Sequence, residues 1–251
     1  MGITEAQDNW SNQSVKFKIF PGFDTDELAW AARSRFRLDR KAAPYLRSPD
    51  PRVRPIIEAL AERRAINIKE VLESFETWSR TRRRVRSPLM ADLCCGHGLT
   101  GLIFAALEPK VERVFLLDRR KPAKAHLLLE AVAEAAPAVV DKVTWVEAPI
   151  EGAAQQLPAQ TSIVAVHACG TRTDRAIDAA VAVESPALAL MPCCYHQTAK
   201  QAPKALRTAL GANIATDVAR TYRLEEAGWA VAWAAIPRAI TPMNRVLIGR
   251  R

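Results

Sequence analysis

Residues 1–88 contain no cysteine and no histidine, so no zinc module built from thiolate and imidazole ligands can form there. The chain also lacks an apolar run long enough to span a bilayer. Its first ten residues, Met1 to Trp10, are polar and acidic rather than basic and then apolar, so they do not read as a secretory signal. A cytoplasmic protein with no membrane partner is expected. There is no internal repeat and no low-complexity tract. The five cysteines are an odd number, which argues against a disulfide framework. What remains is 251 residues, 49% apolar and 25% charged, the balance of a globular chain with a substantial core.

Charge is unevenly spread. The chain carries +9 in all, and residues 1–88 hold 18 Lys+Arg against 12 Asp+Glu. The densest run is Arg80, Arg82, Arg83, Arg84 and Arg86, just before the first expected strand. Such a run can neutralise the phosphates of a nucleic acid, or it can be a solvated basic face that only aids solubility. Both readings stay open at this point.

Two regions differ in pattern. Residues 1–88 read as a basic helical N-terminal segment. Asp24 and Glu27 have the spacing of a capping box. Leu28, Ala31, Ala32 and Phe36 recur at helical spacing, and Pro44, Pro51 and Pro55 divide the region. A longer amphipathic helix follows, with Ile56, Ile57, Leu60 and Ala61, and then Ile66, Ile68, Val71, Leu72 and Phe75, along its buried side. From residue 89 to 251, short apolar runs alternate with helices: Leu89–Leu93, Val114–Leu117, Val143–Val146, Ser162–Val166 and Ala187–Met191. A helix is expected near Ala202–Leu210. Trp229–Ile236 and Arg245–Ile248 close the chain as an antiparallel edge pair. This alternation predicts an α/β fold, a doubly wound and mostly parallel sheet.

The chemistry gathers at the strand ends. Asp92-Leu93-Cys94-Cys95-Gly96-His97-Gly98 stands between the first strand and its helix, where glycines let a backbone approach a ligand closely. Asp118 ends the second strand, in position to accept both hydroxyls of a cofactor ribose. Arg119 follows it. The segment Asp92 to Gly98 resembles the first motif of class I S-adenosylmethionine-dependent methyltransferases, with Cys94 where that motif has its first glycine. The resemblance covers about residues 88–251 and implies a seven-stranded sheet with S-adenosylmethionine as cofactor. The cofactor would be held by Asp92, Cys94, Gly96, Gly98, Asp118, Arg119, Glu147, Ala148 and His167. Ile150 near the adenine is as readily a core residue.

Two further segments narrow the resemblance. His167-Ala168-Cys169-Gly170 with Thr173-Asp174, and Cys193-Cys194-Tyr195-His196, are similar to the branch that includes a tRNA acceptor-stem ribose 2′-O-methyltransferase. Ile240 to Arg245 is similar to it as well. The resemblance implies an RNA substrate, tRNA before others, methylated on a ribose hydroxyl or a base. His196 or His167 would be the general base, with Tyr195 stacking on the target. Cys193, after Pro192, is the alternative, a thiolate nucleophile. Cys169, Cys193, Cys194 and His196 could ligate zinc, but adjacent cysteines without C-x-x-C spacing fit one ion poorly, so no metal is expected. His126 reads as an ordinary surface or packing residue, and Trp229 and Trp233 as core. Two other readings stay open: a methyltransferase for a small molecule or protein, and a non-catalytic RNA-binding scaffold. A nicotinamide-dependent enzyme is a weaker rival. Oligomeric state is not addressed by the sequence.

Overall fold

A computed structural model describes residues 15–195, 198 and 201–251. The strands are β1 (Leu89–Leu93), β2 (Arg113–Asp118), β3 (Val143–Glu147), β4 (Ser162–Ala165), β5 (Ala187–Leu190), β6 (Ala230–Ala235) and β7 (Arg245–Arg250). They form one seven-stranded sheet in the order β3-β2-β1-β4-β5-β7-β6. β3 through β5 pair in parallel, and β7 runs antiparallel to both β5 and β6. The expected doubly wound sheet is therefore present. β4 and β5 are buried at every residue, as strands covered on both faces must be, and this explains their unbroken apolar sequences. β6 is only half covered because it is the edge.

The helices are α1 (Val53–Arg63), α2 (Ile68–Val85), α3 (Leu99–Leu107), α4 (Ala125–Ala135), α5 (Thr171–Ala182) and α6 (Lys204–Glu226), with shorter turns between them. The N-terminal segment shares its core with the sheet. One continuous apolar cluster runs from Phe17 and Phe20 through Leu72, Phe75 and Trp78 to Val164, Ala189 and Ile248. On the other face, α5 packs with Leu157, Leu224 and Trp229 over Ala91, Leu93 and Leu188. Among the described residues, no helix is long and apolar enough to cross a membrane.

Three local expectations are corrected. The long amphipathic helix is two helices, because Arg64 closes α1 in the left-handed conformation (φ 48°) and Asn67 caps α2 by accepting from the Glu70 N–H at 2.8 Å. Asp24 caps no helix: both its oxygens accept from the Phe17 N–H at 3.1 Å, and a short helix starts at Asp26 instead. The helix expected near Ala202–Leu210 continues to Glu226 across a break at Gly211 (φ 76°). Its buried positions include Thr216, Asp217 and Arg220, so it shows no apolar stripe to read.

Candidate active site

The turn after β1 is shaped by three left-handed residues, Cys94 (φ 56°), Gly96 (φ 55°) and Gly98 (φ 81°). A side chain at positive φ costs about 1–2 kcal/mol, so Cys94 keeps the backbone of the glycine it replaces at some strain. Hydrogen bonds fix the turn. The Cys95 N–H donates to the Leu117 carbonyl at 3.2 Å, and the Gly98 N–H to the Cys95 carbonyl at 2.8 Å. The Gly96 N–H donates to Asp118 Oδ2 at 2.8 Å. The two glycines serve different ends. A Cβ on Gly98 would stand 2.8 Å from Leu116 Cδ1 and 3.3 Å from the Trp145 ring, whereas one on Gly96 would meet nothing within 4 Å. Gly98 lets α3 pack on the sheet. Gly96 leaves the outer face of the turn open for a ligand.

The other expected cofactor contacts surround this opening. β2 and β3 pair in register, so Asp118 and Glu147 end adjacent strands side by side. The Ala148 N–H donates to the Asp118 carbonyl at 3.0 Å, holding the two strand exits together. Glu147 accepts from the Lys121 N–H at 3.3 Å. Arg119 is exposed at the same edge, and Ile150 is packed in the core. Asp118 is partly exposed and free to accept from hydroxyls on one side while it holds Gly96 on the other.

Asp92 departs from its expected role. It is 2% exposed, and its Oδ2 accepts from the Gly101 N–H at 2.9 Å, so it fixes the start of α3 from below the turn. Burial, reinforced by the nearby Asp118 charge and opposed by the Gly101 N–H, pushes its carboxyl up to about 7. A carboxyl raised on folding contributes stability that is complete below its unfolded value and is lost as pH rises through its folded value. Asp92→Asn keeps the acceptor and removes the titration. We expect the variant to gain stability over wild type as pH rises from 4 to 7 and then level off, by up to about 4 kcal/mol at 1.36 per pH unit. Thermal unfolding at a series of pH values checks this; a difference constant with pH would refute it.

A cavity of about 290 Å³ adjoins the turn. One wall is Cys95, Gly96, His97, Leu99 and Thr100, and another is His167. The remaining wall comes from the N-terminal segment: Ile66, Glu70 and Ser74. Two carboxylate–imidazole pairs meet here. His97 Nδ1 lies 3.8 Å from Glu70 Oε2, and His167 Nε2 lies 4.0 Å from Glu73 Oε2. Glu73 is 3% exposed. Its Oε1 pairs with Lys69, while its Oε2 is buried without a hydrogen-bond partner among the described residues. A buried carboxylate oxygen left unpaired is costly, so a donor arriving beside His167 would be held firmly. None of Glu70, Glu73 and Ser74 was anticipated from the sequence as a site residue.

The remaining rim residues divide. His167 faces the cavity as expected. His196 lies outside the described residues. Tyr195 does not stack on anything that could enter the site: it is 4% exposed, and its hydroxyl donates to Asp217 Oδ2 at 2.7 Å. Burial, and then the Asp217 charge, push its phenol up, so it remains a donor. Arg220 and Arg245 complete that network. Arg220 grips both oxygens of Asp174 at 2.9 Å, and Arg245 donates to Asp217 at 2.9 Å. Tyr195 therefore ties the exit of β5 to α5, α6 and β7.

Cys193 is corrected as well. It is joined to Cys169 in a disulfide across 5.4 Å between Cα atoms, so it presents no thiolate, and the odd cysteine count misled. Cys194 is free and exposed beside that pair, and the three sulfurs lie within 4.8 Å of one another. At the glycine turn, burial and then the Asp118 charge push the Cys94 thiol up to about 12. Burial and then the Asp92 charge push Cys95 up too. Neither is poised as a nucleophile.

The basic run is largely internal. Arg82 and Arg86 each donate to Glu108, at 2.9 and 2.8 Å, and Arg82 also covers the Trp78 ring. Arg80 pairs with the buried Glu76, which caps the N–H groups of Lys18 and Ile19. Arg83 and Arg84 are exposed. Arg84 lies with Trp233 and Ala235 over β6, four strand spacings from β1, about 19 Å. The run does not border the glycine turn.

No curated protein matches the sequence significantly. Among solved structures, the chain is similar to the methyltransferase domain of bacterial CtHen1, with 11% identity over 71% of this chain and 98% of that one (TM-score 0.47). It is also similar to a SAM dependent methyltransferase from Aquifex aeolicus, with 14% identity over 71% and 89% of the two chains (TM-score 0.41). A family described as a methyltransferase domain matches residues 63–201, a span that takes in α2, the glycine turn, Asp118 and His167. The chain belongs to this family of methyltransferase domains and is a methyltransferase enzyme.

Proposed function

We propose that the enzyme uses S-adenosylmethionine to methylate RNA, tRNA before other RNAs, at a ribose hydroxyl or a base. The observation that carries the cofactor assignment is the glycine turn: the space over Gly96 is open, and the Asp118 carboxylate stands at its edge. Gly96, Gly98 and Cys94 would line the cofactor, Asp118 would accept from its ribose hydroxyls, and Glu147 and Ala148 would border its base. When bound, the cofactor supplies a methyl group on a sulfonium, which leaves the protein mainly to position the acceptor.

The proton is the protein's other task. A hydroxyl is a weak nucleophile until a base accepts its proton. His167 faces the cavity with Glu73 behind its Nε2. In the tautomer with its proton on Nε2, directed to Glu73, the other ring nitrogen is free to accept. The net basic charge favours a polyanionic acceptor. A cytoplasmic location goes with action on RNA.

The carboxylates of Glu70 and Glu73 favour a second reading, an amine acceptor on a small molecule or protein, whose charge they would balance. Calorimetric titration with S-adenosylhomocysteine tests the cofactor assignment. Wild type should bind at micromolar Kd, and Asp118→Ala should bind about 10²-fold more weakly, the loss of two hydrogen bonds to a charged group. Equal affinities would refute the ribose assignment. Tritium transferred from labelled cofactor to total tRNA, but not to protein or amine fractions, separates the two acceptors.

A further inference from the structure

The strap that precedes α1 combines exposed rings with positive charge. Residues 30–47 carry six cationic side chains and a single anionic one, Asp39. Trp30 is 74% exposed and Phe36 is 78% exposed. Arg35, Arg37, Arg40 and Lys41 are exposed around them. An exposed apolar patch rimmed by polar residues marks an interaction site. Rings interleaved with arginines offer stacking faces for bases and charges for phosphates, the combination that holds single-stranded nucleic acid.

The strap is anchored where an RNA-modifying site needs it. The Lys69 N–H donates to the Ser34 carbonyl and the Ile68 N–H to the Phe36 carbonyl, both at 3.0 Å, and the Leu38 N–H donates to the Ile66 carbonyl at 2.9 Å. Those partners form the entry to α2, whose Ile66, Glu70 and Ser74 wall the cavity beside the glycine turn. Next to Ser34, Arg33 donates to the carbonyls of Arg238 and Ala239 at 3.2 and 3.1 Å, in the loop that leaves β6. The strap is thus fixed beside the entry to α2 and the loop that leaves β6, while the faces of its rings stay exposed, the Trp30 indole N–H donating to the Glu27 carbonyl at 2.8 Å.

We propose that Trp30, Phe36 and the arginines around them, chiefly Arg35, bind a single-stranded RNA segment and deliver it to the cavity under His167. This surface, not the run Arg80–Arg86, is the RNA-docking site. The inference rests on the reading of RNA as the acceptor, but it is tested without methyl transfer. Fluorescence anisotropy of a labelled mixed-sequence RNA of about 12 nucleotides, within the range one such surface covers, is followed over a salt series.

Trp30→Ala/Phe36→Ala should weaken binding at least 10-fold. Arg35→Glu should weaken it and flatten its salt dependence. Arg83→Glu/Arg84→Glu should leave it within a factor of about three. Unchanged affinity in the aromatic variant, a larger loss in the Arg83/Arg84 variant, or no RNA binding by wild type overturns the proposal. So does a fall in molar mass by light scattering in the aromatic variant, which would assign the surface to a second copy of the chain. Homocysteine-cofactor binding is measured separately. If it is absent while RNA binding responds as stated, docking stands and the methylation reading fails. If it is present and RNA binding ignores these residues, docking alone fails.

Discussion

Glu73→Gln should lower methyl transfer about 10²-fold while leaving cofactor affinity within a factor of two. The reasoning begins with burial. The carboxylate stands behind His167 with one oxygen on Lys69 and the other without a hydrogen-bond partner among the described residues, so its charge lies close to the imidazole. Removing that charge leaves the shape of the helix intact but deprives His167 of the partner that orients its ring. General base contributions of 10²–10⁴-fold set the scale. His167→Ala should cost as much or more, and the double variant no more than His167→Ala alone, because residues acting as one unit are not additive. Turnover and cofactor titration of the three variants check this. Additive losses would show that Glu73 acts by some route other than His167.

Asp217→Ala should be among the most destabilising single changes in the chain, by about 3–5 kcal/mol. Asp217 is fully buried and accepts from Tyr195, Arg245 and Arg220. Burial outweighs these partners and raises its carboxyl. Deleting it leaves the partly buried Arg245 without its carboxylate, while Arg220 keeps only the Asp174 carboxylate. For a chain of this size, that loss lowers Tm by roughly 10 °C or more. Tyr195→Phe removes one neutral donor and should cost only about 0.5–1.5 kcal/mol. Thermal denaturation distinguishes them, and comparable losses would mean that the charges are not the keystone.

The fold was legible because parallel strands buried on both faces must be written as short apolar runs. Ala187–Leu190 and Ser162–Ala165 can be read in no other way once glycine turns and helices alternate with them. The glycine turn was legible because backbone at positive φ leaves a glycine signature at Gly96 and Gly98, which Cys94 breaks in composition while keeping the conformation. The acceptor side was less so. Glu73 sits four residues from Lys69 on a helix and looks like half of a solvated pair. Only its neighbours Val71, Leu72 and Phe75 hint that it faces inward. Tyr195 was misjudged because its partners Asp217 and Arg245 are 22 and 50 residues away, and a buried ion network has no local pattern. The pairing of Arg82 and Arg86 was hidden for the same reason, since Glu108 lies beyond a strand and a helix.

One helix bears on how this chain can change. α2 reaches from the cavity wall, at Glu70 and Ser74, to the Glu108 clamp, at Arg82 and Arg86. The part that looks like a detachable accessory is therefore also a wall of the reaction chamber. Exchanging this segment for another, as a module is exchanged, would take away a wall of the chamber at the same stroke.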